Sequence, residues 1–147
     1  FVVGRVDLIE SVDSLRLLGA VERQAEKLNL VQDILLEVNI GHEESKGGCL
    51  PEDLPALARR AAELPHVRLR GLMAIPPAAA EPGDNRRFFA ATRQLFVDIR
   101  SQIGDNDTDI DCLSMGMSGD YEDAIREGAT LVRVGTALFG PRPPMHP

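Results

Sequence analysis

Ser118 and Thr136 lie in two glycine-rich stretches near the end of the chain, Ser114-Met115-Gly116-Met117-Ser118-Gly119-Asp120 and Arg133-Val134-Gly135-Thr136-Ala137. Hydroxyl donors beside small residues let backbone N–H groups close on an anion. Ser118 also falls just ahead of a helical pattern, whose N-terminus favours negative charge. The pattern points to a phosphate cradle, although spacing alone is equally compatible with Gly116, Gly119 and Gly135 only turning the chain. Arg133 interrupts an otherwise apolar run, where a charge is costly unless paired. It either pairs with a carboxylate, reaches solvent or faces a ligand. Glu37 and Asn39 share one face of another apolar run, Ile34 to Ile40, and raise the same question. Lys46, in the polar loop Gly41 to Gly48, has the character of a solvated lysine. Met73, Met115 and Met117 fit core packing as they stand.

These residues need elements to position them, and apolar periodicity supplies the elements. The pattern predicts strands over Val6–Ile9, Ile34–Ile40, Val67–Ile75, Ile110–Met115 and Thr130–Val134. Between them it predicts four helices. The first is capped by Asp13 or Ser14, with Leu15, Leu18, Val21, Ala25 and Leu28 on one face. The second opens at Pro51, with Glu52 and Asp53 at its positive end, and carries Leu54, Leu57, Ala58, Ala61 and Leu64. The third is capped by Asp84, carries Phe88, Phe89, Leu95, Phe96, Ile99 and Ile103, and ends at Gly104. A short fourth helix, capped by Asp120, ends at Gly128. Residues 104–109 read as a turn-rich connection, and the proline-rich tail from Pro141 continues neither element type.

Strands alternating with helices imply parallel pairing, right-handed crossovers and a sheet covered on both faces. The fold class expected is α/β, one domain over residues 1–147. It is either an open doubly wound sheet or the C-terminal five strand–helix units of a (β/α)8 TIM-type barrel, which in full takes roughly 250 residues. In both, ligands bind beyond the C-terminal ends of the strands, where the two glycine-rich stretches fall.

Composition narrows the function further. A net charge of −7 over 147 residues argues against nucleic acid as a partner. The chain opens on Phe1 without a charged segment leading into an apolar core, so neither a signal peptide nor a membrane span is expected. Cys49 and Cys112 form no CxxC pair, and His42, His66 and His146 form no ligand-spaced set. No metal site is expected, and two free thiols fit the cytoplasm.

Four stretches together resemble the pyridoxal-phosphate homeostasis protein family (YggS/PROSC-like), whose fold is that of the alanine racemase barrel domain. They are Glu43-Glu44-Ser45-Lys46-Gly47-Gly48, Arg70-Gly71-Leu72-Met73-Ala74-Ile75-Pro76, Leu113 to Asp120, and Arg133-Val134-Gly135-Thr136-Ala137-Leu138-Phe139-Gly140. Ser11-Val12-Asp13-Ser14 also matches, as the end of an early strand. The resemblance implies a protein that binds pyridoxal 5′-phosphate (PLP) and helps control its free level without strong catalysis, with PLP-dependent apoenzymes as possible partners. It places the cofactor phosphate at Ser118, Gly135 and Thr136, the pyridine nitrogen at Arg133, and Met73 in the cofactor pocket. The family's Schiff-base lysine belongs to an early strand, and nothing in this sequence matches its motif. The resemblance therefore implies that the N-terminal strands are missing here, and no catalytic residue is assigned. A PLP-dependent racemase would need a second domain supplying a tyrosine base, and Tyr121 is the only tyrosine. A sugar-phosphate barrel enzyme would want acid–base residues at the strand ends, where only Glu37 qualifies.

Overall fold

Leu8–Val12 forms β1, Gln32–Val38 β2, Val67–Ala74 β3, Cys112–Met117 β4 and Leu131–Arg133 β5. The helices between and after them are α1 (Leu15–Leu28), α2 (Leu54–Ala62), α3 (Arg86–Ile103), α4 (Tyr121–Arg126) and the single-turn α5 (Thr136–Phe139). This computed structural model describes residues 1–103 and 110–141; the expected stop at Gly104, the connection to Asp109 and the tail beyond Pro141 lie outside them. All neighbouring strands pair in parallel, in the order β1-β2-β3-β4-β5. Consecutive placement of every strand is the winding of a barrel, whereas a doubly wound sheet reverses its strand order.

The sheet curls. Ser114 on β4 donates a 2.6 Å hydrogen bond to Glu10 on β1. Strands spaced about 4.8 Å apart would put β1 and β4 about 14 Å apart in a flat sheet, beyond the reach of a glutamate and a serine. The contact therefore crosses the concave face of an arc, and the architecture is a partial α/β barrel.

The convex face carries the main core. Ile9, Val12, Ile34, Leu36, Val38, Leu72, Leu113 and Met115 pack from the sheet against Leu18, Val21, Leu54, Leu57, Phe89, Phe96 and Ile99 from the helices. Each such side chain contributes roughly 1.5–3 kcal/mol through burial. Thr92 shares this buried layer because its hydroxyl donates to the Phe88 carbonyl one turn earlier. Leu35, Met73 and Ser114 point to the concave side and are buried there by the curl.

Several boundaries differ from expectation, each for a local reason. Strand β1 begins later because residues 4–7 are claimed by Gln32. Its amide accepts from the Gly4 N–H at 3.0 Å and donates to the carbonyls of Val6 and Asp7 at 3.1 and 3.2 Å. Ser14 is the cap of α1, accepting from the Leu17 N–H, while Leu15 and Leu28 at the helix ends are exposed. Residues 51–53 form a turn, and α2 starts at Leu54 with Pro55 in its first turn. Asp84 does not cap α3; its carboxylate accepts from the N–H groups of Ala80 and Glu81 in the preceding turn. Strand β4 runs from Cys112 to Met117 because its ladder with β3 opens at Gly71 opposite Cys112. Strand β5 is limited to Leu131–Arg133, with Thr130 held outside it through its hydroxyl, which accepts from the Leu113 N–H.

Candidate functional site

The C-terminal ends of β4 and β5 meet around the Ser118 hydroxyl. Its oxygen accepts from the N–H of Gly135 at 3.0 Å and of Ala137 at 3.2 Å, so one serine joins the two glycine-rich stretches. A cleft of about 490 Å³ opens there, lined by Met117, Ser118, Gly119, Arg133, Gly135, Thr136, Phe139 and Gly140. That volume lies within the range of small-molecule sites.

The position of Ser118 is built from below. Gly116 has φ +92°, and a Cβ there would lie 2.5 Å from the Cβ of Ala124. Only glycine lets β4 turn this close to α4. Asp120 stands at the N-cap of α4 but bonds no N–H of that helix. Its carboxylate accepts from the Met117 N–H and from the Asn85 amide, both at 2.7 Å, fixing the loop that carries Ser118.

The other two glycines behave differently. A Cβ at Gly119 or Gly135 would meet nothing within 4 Å, and neither has a positive φ. The fold does not require glycine at either position, and both line the cleft. Gly116 is needed for the turn, while at Gly119 and Gly135 no neighbouring atom excludes a side chain.

Arg133 lines the cleft and is paired rather than loose. It donates to the Ser114 hydroxyl and, at 3.1 Å, to the Ala74 carbonyl, and its guanidinium lies 3.5 Å from the Glu10 carboxylate. A guanidinium has five N–H donors, and these contacts use part of that set. Met73 does not line the cleft. It lies buried on the concave face, directly across the ladder from Ser114, in the same layer as the anchors of Arg133. Glu37 stands opposite Met73 on β2. Burial pushes its carboxyl above the ordinary range, helped by the charge of Asp13 and opposed by Arg133. Burial likewise pushes the Cys49 thiol up to about 11 and raises that of Cys112, so neither has thiolate character at neutral pH.

The β2–α2 loop folds back as a strap. The Asn39 amide exchanges hydrogen bonds with the backbone of Glu43, and Lys46 pairs with the Glu43 carboxylate at 2.5 Å and donates to the Pro76 carbonyl at 2.8 Å. Asn39 thus fixes the loop after β2 internally, and Lys46 ties it to the loop after β3. Sequence reasoning missed Glu10 and the role of Ser114. Glu10 fell beyond the expected end of β1, although a charge next to two apolar strand residues is itself a sign of a paired, inward-facing group.

The family model described as the alanine racemase N-terminal domain matches residues 2–143. The chain belongs to the alanine racemase N-terminal domain family. Within it, the resemblance to the pyridoxal phosphate homeostasis proteins is upheld. The protein of that name from Aquifex aeolicus is 46% identical over 142 residues, covering 97% of this chain and 61% of its own length. The one from Pseudomonas aeruginosa is 48% identical over 134 residues, covering 91% and 55%. PipY of Synechococcus elongatus, in a structure with PLP bound, is 34% identical with a TM-score of 0.82, covering 95% of this chain and 63% of that one. Alanine racemase from Corynebacterium glutamicum, 14% identical with a TM-score of 0.67 over 92% of this chain and 36% of that one, shares the fold. The chain spans about 55–63% of the length of these two homeostasis proteins and PipY. Among the described residues no helix is long and apolar enough to cross a membrane.

Proposed function

We propose that this chain supplies the phosphate and ring-nitrogen side of a PLP site in a cytoplasmic protein of PLP homeostasis, without strong catalysis of its own. The observation that carries the reading is the pair of structurally unforced glycines, Gly119 and Gly135, lining the same cleft as Ser118, Thr136 and Arg133. The donor set fits a phosphomonoester: a serine hydroxyl already seated on two backbone N–H groups, a threonine hydroxyl beside it, and no carboxylate on the cleft wall. In this reading Ser118, Gly135 and Thr136 hold the phosphate, Arg133 faces the pyridine nitrogen, and Met73 packs beneath the ring behind the Arg133 layer.

Bound PLP supplies an electron-accepting ring, and it accepts best when its nitrogen is protonated. Arg133 works against that. Arginine has no acceptor and stays charged, so it donates to the nitrogen and keeps it unprotonated. The cofactor is then held with little side chemistry, as suits a protein that stores or passes it on to PLP-dependent apoenzymes.

The five strand–helix units act as one domain, the C-terminal part of a (β/α)8 barrel. In this reading its first strands, with the cofactor-linking lysine, belong to sequence upstream of Phe1. An in-frame strand carrying a lysine in that upstream sequence is the expected result, and its absence removes covalent attachment from the account. In the complete gene product, Thr136→Val is expected to weaken PLP binding about ten-fold, since a hydrogen bond to a charged group is worth about 1.5–3 kcal/mol. Unchanged affinity in an absorbance titration takes Thr136 out of the site.

A further inference from the structure

We infer that Glu10 and Ser114 are positioning residues for Arg133, a relay across the concave face that sets how the guanidinium meets the cofactor ring. The inference rests on the proposed placement of the pyridine nitrogen at Arg133 and goes beyond it to two residues on other strands.

Arg133 ends the three-residue strand β5. An arginine side chain has many rotamers, and holding it in one costs entropy. Three contacts from three other strands hold it: the Ser114 hydroxyl on β4, the Ala74 carbonyl at the end of β3, and the Glu10 carboxylate on β1. The hydroxyl of Ser114 has one proton. It gives that proton to Glu10 at 2.6 Å, so toward Arg133 it can only accept. The direction of the chain is thereby fixed, Arg133 to Ser114 to Glu10. Ser114 is fully buried, and its hydroxyl has no role in the convex core.

Glu10 does a second thing. It places a carboxylate 3.5 Å from the guanidinium, orienting Arg133 as carboxylates orient ligating groups in other sites. Because β1 reaches β4 only through the curl of the sheet, the relay makes the setting of Arg133 depend on that curl.

The test uses the complete gene product with Ser114→Ala, Glu10→Leu, Glu10→Gln and Arg133→Leu. Three quantities are read: PLP affinity, the absorption spectrum of bound PLP across pH, and the melting temperature of the cofactor-free protein. Ser114→Ala and Glu10→Leu are expected to weaken PLP about ten-fold and to shift the spectrum toward that of Arg133→Leu. Glu10→Gln keeps an acceptor for Ser114 and should stay within about three-fold of the parent. A merely structural role would lower melting temperature and leave the bound spectrum unchanged. The inference is overturned if Arg133→Leu changes the spectrum while Ser114→Ala and Glu10→Leu do not. If Arg133→Leu itself changes nothing, it is the placement of the pyridine nitrogen that fails. Should Ser114→Ala not fold, Glu10→Leu, at a partly exposed residue, decides alone.

Discussion

Among the described residues, Arg70 at the N-terminal end of the sheet meets the carboxylates of Asp33 at 2.7 Å and Asp111 at 2.9 Å; toward the C-terminal end, Arg133 meets that of Glu10 at 3.5 Å. The lower network is dense. Asp33 is also gripped by Arg68 at 2.7 Å, so β2, β3 and the residue leading into β4 are cross-linked by charge. Burial works against ionising Asp33, but the hydrogen bonds and charges of Arg68 and Arg70 together outweigh it and hold its carboxyl below the ordinary range. The upper network has a hydroxyl and a carbonyl where the lower has carboxylates. One arginine is satisfied by protein charge and serves cohesion. The other is steadied by a hydroxyl, a carbonyl and one more distant carboxylate, which use part of its donor set. Barrels commonly divide labour this way, with stability at the N-terminal face and chemistry at the C-terminal face.

The largest break in this contrast comes from Gly71, where β3 is bulged. A Cβ there would lie 1.7 Å from the Cys112 carbonyl oxygen, at φ +151°. Gly71→Ala should cost about 3 kcal/mol or more, read as a fall in the denaturant midpoint. A variant as stable as the parent would mean β3 and β4 do not approach as described. Next is Arg70→Met, which leaves Asp33 and Asp111 without this partner. Arg70 is part exposed, so solvent screening limits the loss to about 1–3 kcal/mol. PLP affinity of the folded variant should not change; a parallel loss of affinity would erase the distinction between the two ends.

Arg133→Glu sharpens the comparison from the other side. It should let the pyridine nitrogen protonate and raise slow side reactions of the cofactor with an added amino acid, such as transamination. Equal and negligible cofactor conversion in both proteins, with PLP still bound, would show that Arg133 does not set the ring's electronics.

The smallest effect concerns acid. Asp33 has a depressed carboxyl in the fold. Its contribution is present above the unfolded value of about 3.9 and is lost as pH falls through the lower folded value. Asp33→Asn should therefore flatten the acid limb of the stability curve below about pH 4. An unchanged acid limb would mean the pair with Arg68 and Arg70 adds nothing.

Much of this was legible in the residues. Five strands and their helices follow from apolar periodicity, and Ser118, Gly135 and Thr136 stand out as small and hydroxylic at strand ends. Arg133 is conspicuous as a charge in an apolar run. What the sequence could not show is what crosses the sheet. Glu10 and Ser114 are 104 residues apart, and only the curl brings them within 2.6 Å. Local pattern is equally silent on which glycines are forced. Gly116 and Gly135 look alike in sequence, yet one is pinned against Ala124 and the other faces open space. Asp84 and Asp120 have the right type and place for helix caps, but nearer loop N–H groups claim their carboxylates.

The central claim is that the cleft between the ends of β4 and β5 holds the cofactor phosphate, and Gly135→Ala tests it most directly. The added methyl meets no protein atom within 4 Å, so the melting temperature of the cofactor-free protein should stay at the parent's value. Inside the cleft the same methyl competes with the phosphate, and PLP affinity should fall about ten-fold. An unchanged affinity at unchanged stability would contradict the account.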